Sequence, residues 1–168
     1  MTRSTFLTTA TTAAVTTLLP TTILPSPAFA KFGESIYVSP SAAVVDREVL
    51  GSAPVQKSVE SLVSYKAAVT DLCGKLKSDG QADLVPAIRT TFDFALLRTS
   101  LNTLGTAFDE DTQRSLDRIS RLIIQDVQEL EAASAFKGGG RSEIRRANVE
   151  KKLNKLEGAF GELLAFAK

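Results

Sequence analysis

Four stretches of the chain, 53–78, 83–106, 110–134 and 142–167, carry apolar residues at steps of three, four or seven. That spacing is the period of a helix with one buried face. Helix-breaking residues separate the stretches: Asp79-Gly80, Gly105 and Gly138-Gly139-Gly140. Because each apolar stripe must be covered and the connections are short, the pattern predicts an all-α protein. The expected arrangement over 53–168 is an up-down-up-down four-helix bundle.

The core residues that we expect fall into four sets, one for each helix. The first two helices contribute Val55, Val59, Leu62, Val69, Leu72 and Leu76, then Leu84, Ile88, Phe92, Ala95, Leu97, Leu101 and Leu104. The last two contribute Leu116, Ile119, Ile123, Val127 and Leu130, then Val149, Leu153, Leu156, Phe160 and Leu163. The stripes are flanked by Val63, Cys73, Phe94, Leu96, Leu164 and Phe166. Three residues are expected to cap helix N-termini: Ser52, Asp109 and Ser142.

The first thirty residues differ from the rest of the chain. They contain no acidic residue, one basic residue (Arg3), an apolar middle rich in Thr, and a small-x-small ending at Ala28 and Ala30. This composition predicts an export signal over 1–30 that is cleaved before Lys31. The alternatives are a Thr-rich tail and a membrane anchor, and Pro20 and Pro25 argue against the anchor.

Residues 31–52 have no sustained period and are expected to form an N-terminal arm. Pro40 biases Ser39 away from helix, which predicts an extended segment around Tyr37. Residues 46–50 are expected to form a short turn. Two interpretations remain open: a mobile arm, and an arm that becomes ordered on a partner.

Composition excludes several classes of chemistry. The chain has no histidine, so histidine-based triads, metal sites and general bases are excluded. Cys73 is the single cysteine, so an intramolecular disulfide is excluded, and the residue is read as a small buried hydrophobe rather than a reactive thiol. The net charge is +1, and nine Phe, two Tyr and no Trp give few stacking platforms for nucleic acid. We therefore expect a protein that is not an enzyme, holds no cofactor and binds no nucleic acid.

Two charged clusters have both a functional and a structural interpretation. Asp109, Glu110 and Asp111 resemble the start of a calcium loop but lack its alternating ligands, so helix capping explains them better. The second cluster opens the last helix and contains Arg141, Arg145, Arg146, Lys151, Lys152 and Lys155. It is either a solvated face or a patch that steers docking onto an acidic surface.

The segment Leu97-Arg98-Thr99-Ser100-Leu101-Asn102-Thr103-Leu104 resembles a Leu-Arg-x-Asp-Leu-Asn-x-Ile/Leu motif of the PsbQ-like extrinsic proteins of photosystem II. Ser100 stands where the family has Asp. Residues 153–164 are similar to the last helix of the family in their spacing, and the region from Pro54 to the C-terminus follows the family's order of four helices. The proline-rich arm and the tryptophan of plant members are absent, which favours an algal branch such as the diatom or red-algal subunits.

The resemblance implies a four-helix extrinsic subunit in the chloroplast thylakoid lumen, peripheral to the membrane. It would bind the lumenal face of photosystem II, against a core antenna protein and other extrinsic subunits. There it would help to retain calcium and chloride at the manganese cluster without supplying metal ligands. Residues 1–30 would be the lumen-targeting half of a presequence that follows a transit peptide, unless the protein is plastid-encoded or cyanobacterial. The docking candidates are Arg98, Arg141, Arg145, Arg146, Lys151 and Lys152.

Two other hypotheses follow from the residues alone. The first is an exported bacterial periplasmic bundle that binds a small ligand or a chaperone client, which would need a polar-lined opening. The second is an enzyme, for which no nucleophile–base pair can be assembled from this sequence.

Overall fold

Helices dominate the secondary structure. The computed structural model describes residues 37–135 and 140–168. Six α-helices follow one another: α1 (Arg47–Leu50), α2 (Ala53–Ser78), α3 (Val85–Thr91), α4 (Phe94–Gly105), α5 (Glu110–Ser134) and α6 (Glu143–Ala165). In this part of the chain the extended structure is limited to one isolated bridge between Val45 and Phe108. The all-α prediction is confirmed. None of the described helices is both long and apolar enough to cross a membrane.

Some sequence-based predictions lie outside the described residues. The export signal over 1–30 is one, and the first six residues of the arm, 31–36, are another. Two of the three glycines in the predicted break, Gly138 and Gly139, are also outside this part of the chain. Gly140 is described, and its φ of 83° is a conformation that glycine adopts without strain.

Local chemistry accounts for the ends of the long helices. The Asp109 side chain accepts a hydrogen bond from the Thr112 N–H at 3.2 Å, and the Ser142 hydroxyl accepts one from Arg145 N–H at 3.4 Å. Both predicted caps are confirmed. Ser52 occupies the N-cap position of α2, but its side chain makes no capping bond. Pro54 lies in the first turn of α2, where a missing N–H costs little.

The second predicted helix, 83–106, was expected to be continuous, and this prediction is wrong. Phe92 and Asp93 adopt extended backbone conformations between α3 and α4. The Asp93 carboxylate accepts hydrogen bonds from the N–H groups of Ala95 and Leu96, at 2.8 and 3.0 Å, and so caps α4. Phe92 and Leu97 are both buried although five residues separate them. A single helix would direct these side chains to different faces, so the break is what allows both to enter the core.

The core lies where the helices pack on one another. α2 packs against α4 and α6, and α5 packs against the same two helices. Near the centre, the Tyr65 ring stacks on Phe92 and Phe160, with ring centroids 5.6 and 6.4 Å away. The expected core positions are buried apart from a few. Val59, Phe94 and Leu164 are half-buried, while Val63, Ala95 and Leu96 are exposed.

The described part of the arm packs on the helical body. Val38 N–H donates to the Ser115 hydroxyl at 2.9 Å, and Asp46 N–H donates to the Ala107 carbonyl at 2.8 Å. Val45 and Val49 lie against the core. The predicted turn is confirmed, since Asp46 caps the short helix α1. Pro40 begins a 3₁₀ turn (Pro40–Ala42), so the extended segment is shorter than expected.

Candidate functional site

The first turn of α6 presents two exposed cations next to the α2–α3 connection. Arg145 and Arg146 are both exposed. The Arg146 side chain runs across Gly80: a Cβ at Gly80 would lie 3.0 Å from Arg146 Cδ and 3.3 Å from Nη1. Gly80 thus leaves room for the guanidinium to lie over this connection. The pair forms the exposed cationic corner of the molecule, defined here as Arg145 and Arg146.

Arg141 does not belong to that corner, which corrects its place among the docking candidates. Its side chain is only 4% exposed. The guanidinium donates to the carbonyls of Gly80 at 3.0 Å, Ala82 at 3.2 Å and Ser134 at 3.1 Å. Its backbone is held as well, because the Gln81 amide donates to the Arg141 carbonyl at 2.9 Å. Arg141 therefore joins the α2–α3 connection to the end of α5 instead of facing a partner.

Lys152 and Lys155 are engaged in ion pairs across the α5–α6 seam. Lys152 Nζ lies 2.8 Å from Glu129, and Lys155 Nζ lies 2.7 Å from Asp126. The hydrogen bond from Lys152 lowers the pKa of Glu129, and the bond to Asp126 raises the pKa of Lys155. Asp126 is 3% exposed, and its second oxygen, Oδ2, has no hydrogen-bond partner among the described residues. These two ion pairs link α6 to α5, and of the two lysines only Lys152 was a docking candidate.

The remaining candidates are exposed but separate. Lys151 lies on the outer side of α6, away from the buried stripe that contains Leu153 and Leu156. Arg98 is exposed on α4, a helix whose main contacts are with α2 and α5. The structure therefore brings Arg145 and Arg146 together and leaves Arg98 and Lys151 on other faces.

A second basic surface, on α5, was missed by the sequence analysis. Arg118 and Arg121 are exposed, and the described residues place no carboxylate within ion-pair distance of them. Asp117 stands four residues before Arg121, but no ion pair forms between them in this part of the chain. Arg114 is held instead by Glu110 and Asp111. The sequence did contain a signal for this surface, because Arg118 and Arg121 stand at i, i+3 spacing on one helix.

A groove of about 500 Å³ lies between α2 and α4, and sequence analysis did not predict it. It has Lys57 and Tyr65 on one wall and Leu96 and Ser100 on the other. Ser100 is the position at which the PsbQ-like motif has Asp, and it is 8% exposed. Small Ser and Thr side chains from both helices line this stretch and leave the space between the helices unfilled.

The individual residues with reactive or metal-binding potential have structural explanations. Cys73 is buried as predicted, and burial, followed by the nearby Glu157, raises the pKa of its thiol. The thiolate is therefore disfavoured. Asp109 caps α5, while Glu110 and Asp111 bind Arg114. Within the described ranges, no group of three or more acidic or cysteine side chains is arranged to hold a metal ion.

Comparisons of this chain with protein-family models, with curated proteins and with solved structures find no match.

Proposed function

We propose that this protein is an exported, non-catalytic helical subunit that docks on the lumenal face of photosystem II and stabilises its oxygen-evolving cluster. The observation that carries the proposal is the segment 97–104, which resembles the PsbQ-like motif and which forms most of α4. Leu97, Leu101 and Leu104 of this segment are buried, and Arg98 and Asn102 are exposed. The motif thus divides into a packing face and an outward polar face, and the outward face is available to a partner.

We propose further that the helices form an up-down-up-down four-helix bundle, with α3 and α4 together as its second member. The helix pairings support this arrangement, since α2, α4, α5 and α6 contact one another in a closed ring. The connections between successive members span only a few residues, which favours antiparallel neighbours. Such a rigid body suits a subunit that stabilises a larger complex without a moving part.

Docking in this proposal depends on how charge is placed rather than on net charge. Cleavage after Ala30 would remove one of the 20 basic residues and none of the 19 acidic residues, so the mature chain would be neutral. The cationic corner then supplies exposed positive charge at the start of α6, and Lys151 supplies it on another face of that helix. Exposed cations at an interface rim act chiefly on the rate and salt dependence of association. Arg98 is a further contact candidate, because it is exposed on the motif helix.

The test is rebinding of the full chain, and of the chain beginning at Lys31, to photosystem II membranes stripped of extrinsic proteins. Binding is measured across a salt series, and oxygen evolution is measured without added calcium or chloride. We expect salt-sensitive rebinding with recovered activity. Absence of rebinding at low salt by a properly helical protein would refute the photosystem II proposal.

Two double charge reversals test whether the cationic corner is the docking surface. Arg145→Glu with Arg146→Glu should slow association at low salt by about tenfold. The matched control is Arg118→Glu with Arg121→Glu on α5, which makes the same change in charge on exposed residues. If the control slows association as much as the first pair does, the cationic corner is not the docking surface.

The second candidate function is that of an exported periplasmic protein that binds a ligand or a chaperone client. The α2–α4 groove favours it, since it is an opening that combines apolar surface with hydroxyl groups and one lysine. Photosynthetic pigment in the partner that co-purifies with the protein distinguishes the two functions. A pigment-free partner would support the periplasmic alternative.

A further inference from the structure

Several hydroxyl groups line the α2–α4 groove, and only some of them make hydrogen bonds within the protein. Three hydroxyls on its walls donate to carbonyls of their own helices: Ser58 to Pro54, Ser61 to Lys57, and Thr99 to Ala95, at 2.9 to 3.0 Å. Such i−4 bonds occupy the hydroxyl proton. These residues shape the groove, but they have no proton left to donate to a ligand.

Ser100 is different: the residue is 8% exposed, and its hydroxyl makes no i−4 bond of this kind among the described residues. The Ser100 hydroxyl is not among the fully buried side-chain atoms that lack a partner in the described part of the chain, so it reaches the groove and can donate to a ligand there. Thr103 and Tyr65 also line the groove, and their hydroxyls have no partner in the described part of the chain. Burial, followed by the nearby Asp93, raises the pKa of Tyr65, so its hydroxyl keeps its proton at neutral pH.

The charge in the groove has one sign. Lys57 is the only charged residue among those that line it, and no ion pair engages Lys57 within the described ranges. Leu96, which is 61% exposed, and Pro54 add apolar surface beside these donors. The groove therefore combines one ammonium, three hydroxyl donors and an apolar wall, and it contains no carboxylate.

We propose that the α2–α4 groove binds a small organic monocarboxylate with an apolar body. Lys57 would pair with the carboxylate, Ser100 and its neighbouring hydroxyls would donate to its oxygens, and Leu96 would cover the apolar body. A phosphate is a poorer fit, because phosphate sites gather several cations or an arginine fork and this groove has a single lysine. The volume of about 500 Å³ lies within the range of ligand sites. This inference rests on the groove alone and is independent of docking on photosystem II.

The test is two-dimensional NMR of the isotopically labelled full chain, titrated with octanoate into the millimolar range. The amide signals of residues 54–65 and 96–103 should shift together and saturate. Octanamide has the same body without the charge, and acetate has the charge without the body, so both should bind more weakly than octanoate. The proposal is overturned if octanoate causes no saturable shift at these residues, or if octanamide binds as well as octanoate.

Two substitutions test the roles of the groove residues. Lys57→Gln and Ser100→Ala should each weaken octanoate binding about threefold to tenfold, since each removes one polar contact. The matched controls are Lys75→Gln near the end of α2 and Ser64→Ala on the outer side of α2, where the Ser64 hydroxyl donates to the Glu60 carbonyl at 3.0 Å. The controls should leave the affinity unchanged. Equal weakening by groove and control variants would also overturn the proposal, and neither result bears on rebinding to photosystem II.

Discussion

Substituting Arg141 with Met should be among the most destabilising changes to an arginine in this protein. The guanidinium makes three hydrogen bonds to backbone carbonyls, and none of these carbonyls is described with an alternative side-chain donor. Methionine retains most of the apolar stem and removes all three bonds. A hydrogen bond to a charged group contributes about 1.5–3 kcal/mol, so the nominal sum is roughly 4.5–9 kcal/mol.

That sum overstates the cost, because the bonds differ in burial. The contact with the Ser134 carbonyl is buried, while the contacts with Gly80 and Ala82 are only partly buried. The latter two carbonyls can be rehydrated after the substitution, whereas the Ser134 carbonyl cannot easily be. We therefore expect Arg141→Met to lower the free energy of unfolding by about 3–4 kcal/mol. This is a large share of the roughly 5–15 kcal/mol typical of a domain.

The assay is urea unfolding of the full chain, followed by far-ultraviolet circular dichroism and fitted by linear extrapolation. Arg145→Met is the matched control, since it changes the same residue type four positions later at an exposed site. Its effect should stay within about 0.5 kcal/mol. Arg141→Lys keeps the charge but loses the planar guanidinium, so its loss of unfolding free energy should lie between those of Arg141→Met and Arg145→Met. A cost for Arg141→Met within about 1 kcal/mol of the control would refute the reasoning.

Three further predictions concern the core, a helix cap and the arm. Phe160→Ala should cost about 3–5 kcal/mol in urea unfolding, because the ring is fully buried beside Tyr65; a cost below that of an exposed substitution would contradict the packing. Asp93→Ala should cost about 1 kcal/mol by losing the cap of α4, whereas Asp93→Asn should retain most of it. The hydrogen bond to Glu162 raises the pKa of Tyr37 from 10.0 to about 12, so this stabilisation is full below pH 10 and lost as pH rises towards 12. Tyr37→Phe should abolish that loss, as measured by unfolding at alkaline pH and by tyrosinate absorbance; an unchanged pH profile would argue against the bond.

The bounds of α2 and α5 show how much the local pattern can determine. Both helices begin and end at the predicted residues. Their apolar period, the Asp109 cap and the Asp79-Gly80 break all act within a few residues, so neighbouring sequence is sufficient. The all-α class follows for the same reason, because every long apolar stripe has the helical period.

The interruption between α3 and α4 was not predicted from the local apolar period, although the sequence contained part of the signal for it. The apolar positions shift phase between Phe92 and Leu97, and Asp93 lies between them. When a broad apolar stripe is accepted as one helix face, this shift in phase goes unnoticed. The exposed residues Ala95 and Leu96 were for that reason assigned to the core. Only the packing of both phases against α2 and α5 shows that the helix must break.

The candidate site depended more on tertiary structure than the fold did. Arg141, Arg145 and Arg146 are adjacent basic residues in the sequence, yet the first is buried and the other two are exposed. The difference comes from three carbonyls that accept hydrogen bonds from Arg141. Those of Gly80 and Ala82 are 61 and 59 residues away in the chain, and that of Ser134 is seven residues away. No local pattern specifies such acceptors.

The sequence by itself determined the helical class, the bounds of the long helices, most of the core and the absence of histidine chemistry. It did so because periodicity and capping are interactions between residues close in the chain. Only the tertiary structure decided which cations are buried, how the arm from Tyr37 packs on the body, and that α2 and α4 leave a groove lined in part by Ser100. These features arise where segments distant in the chain meet, and the free energy of burying a polar group there depends on what the other segment offers it.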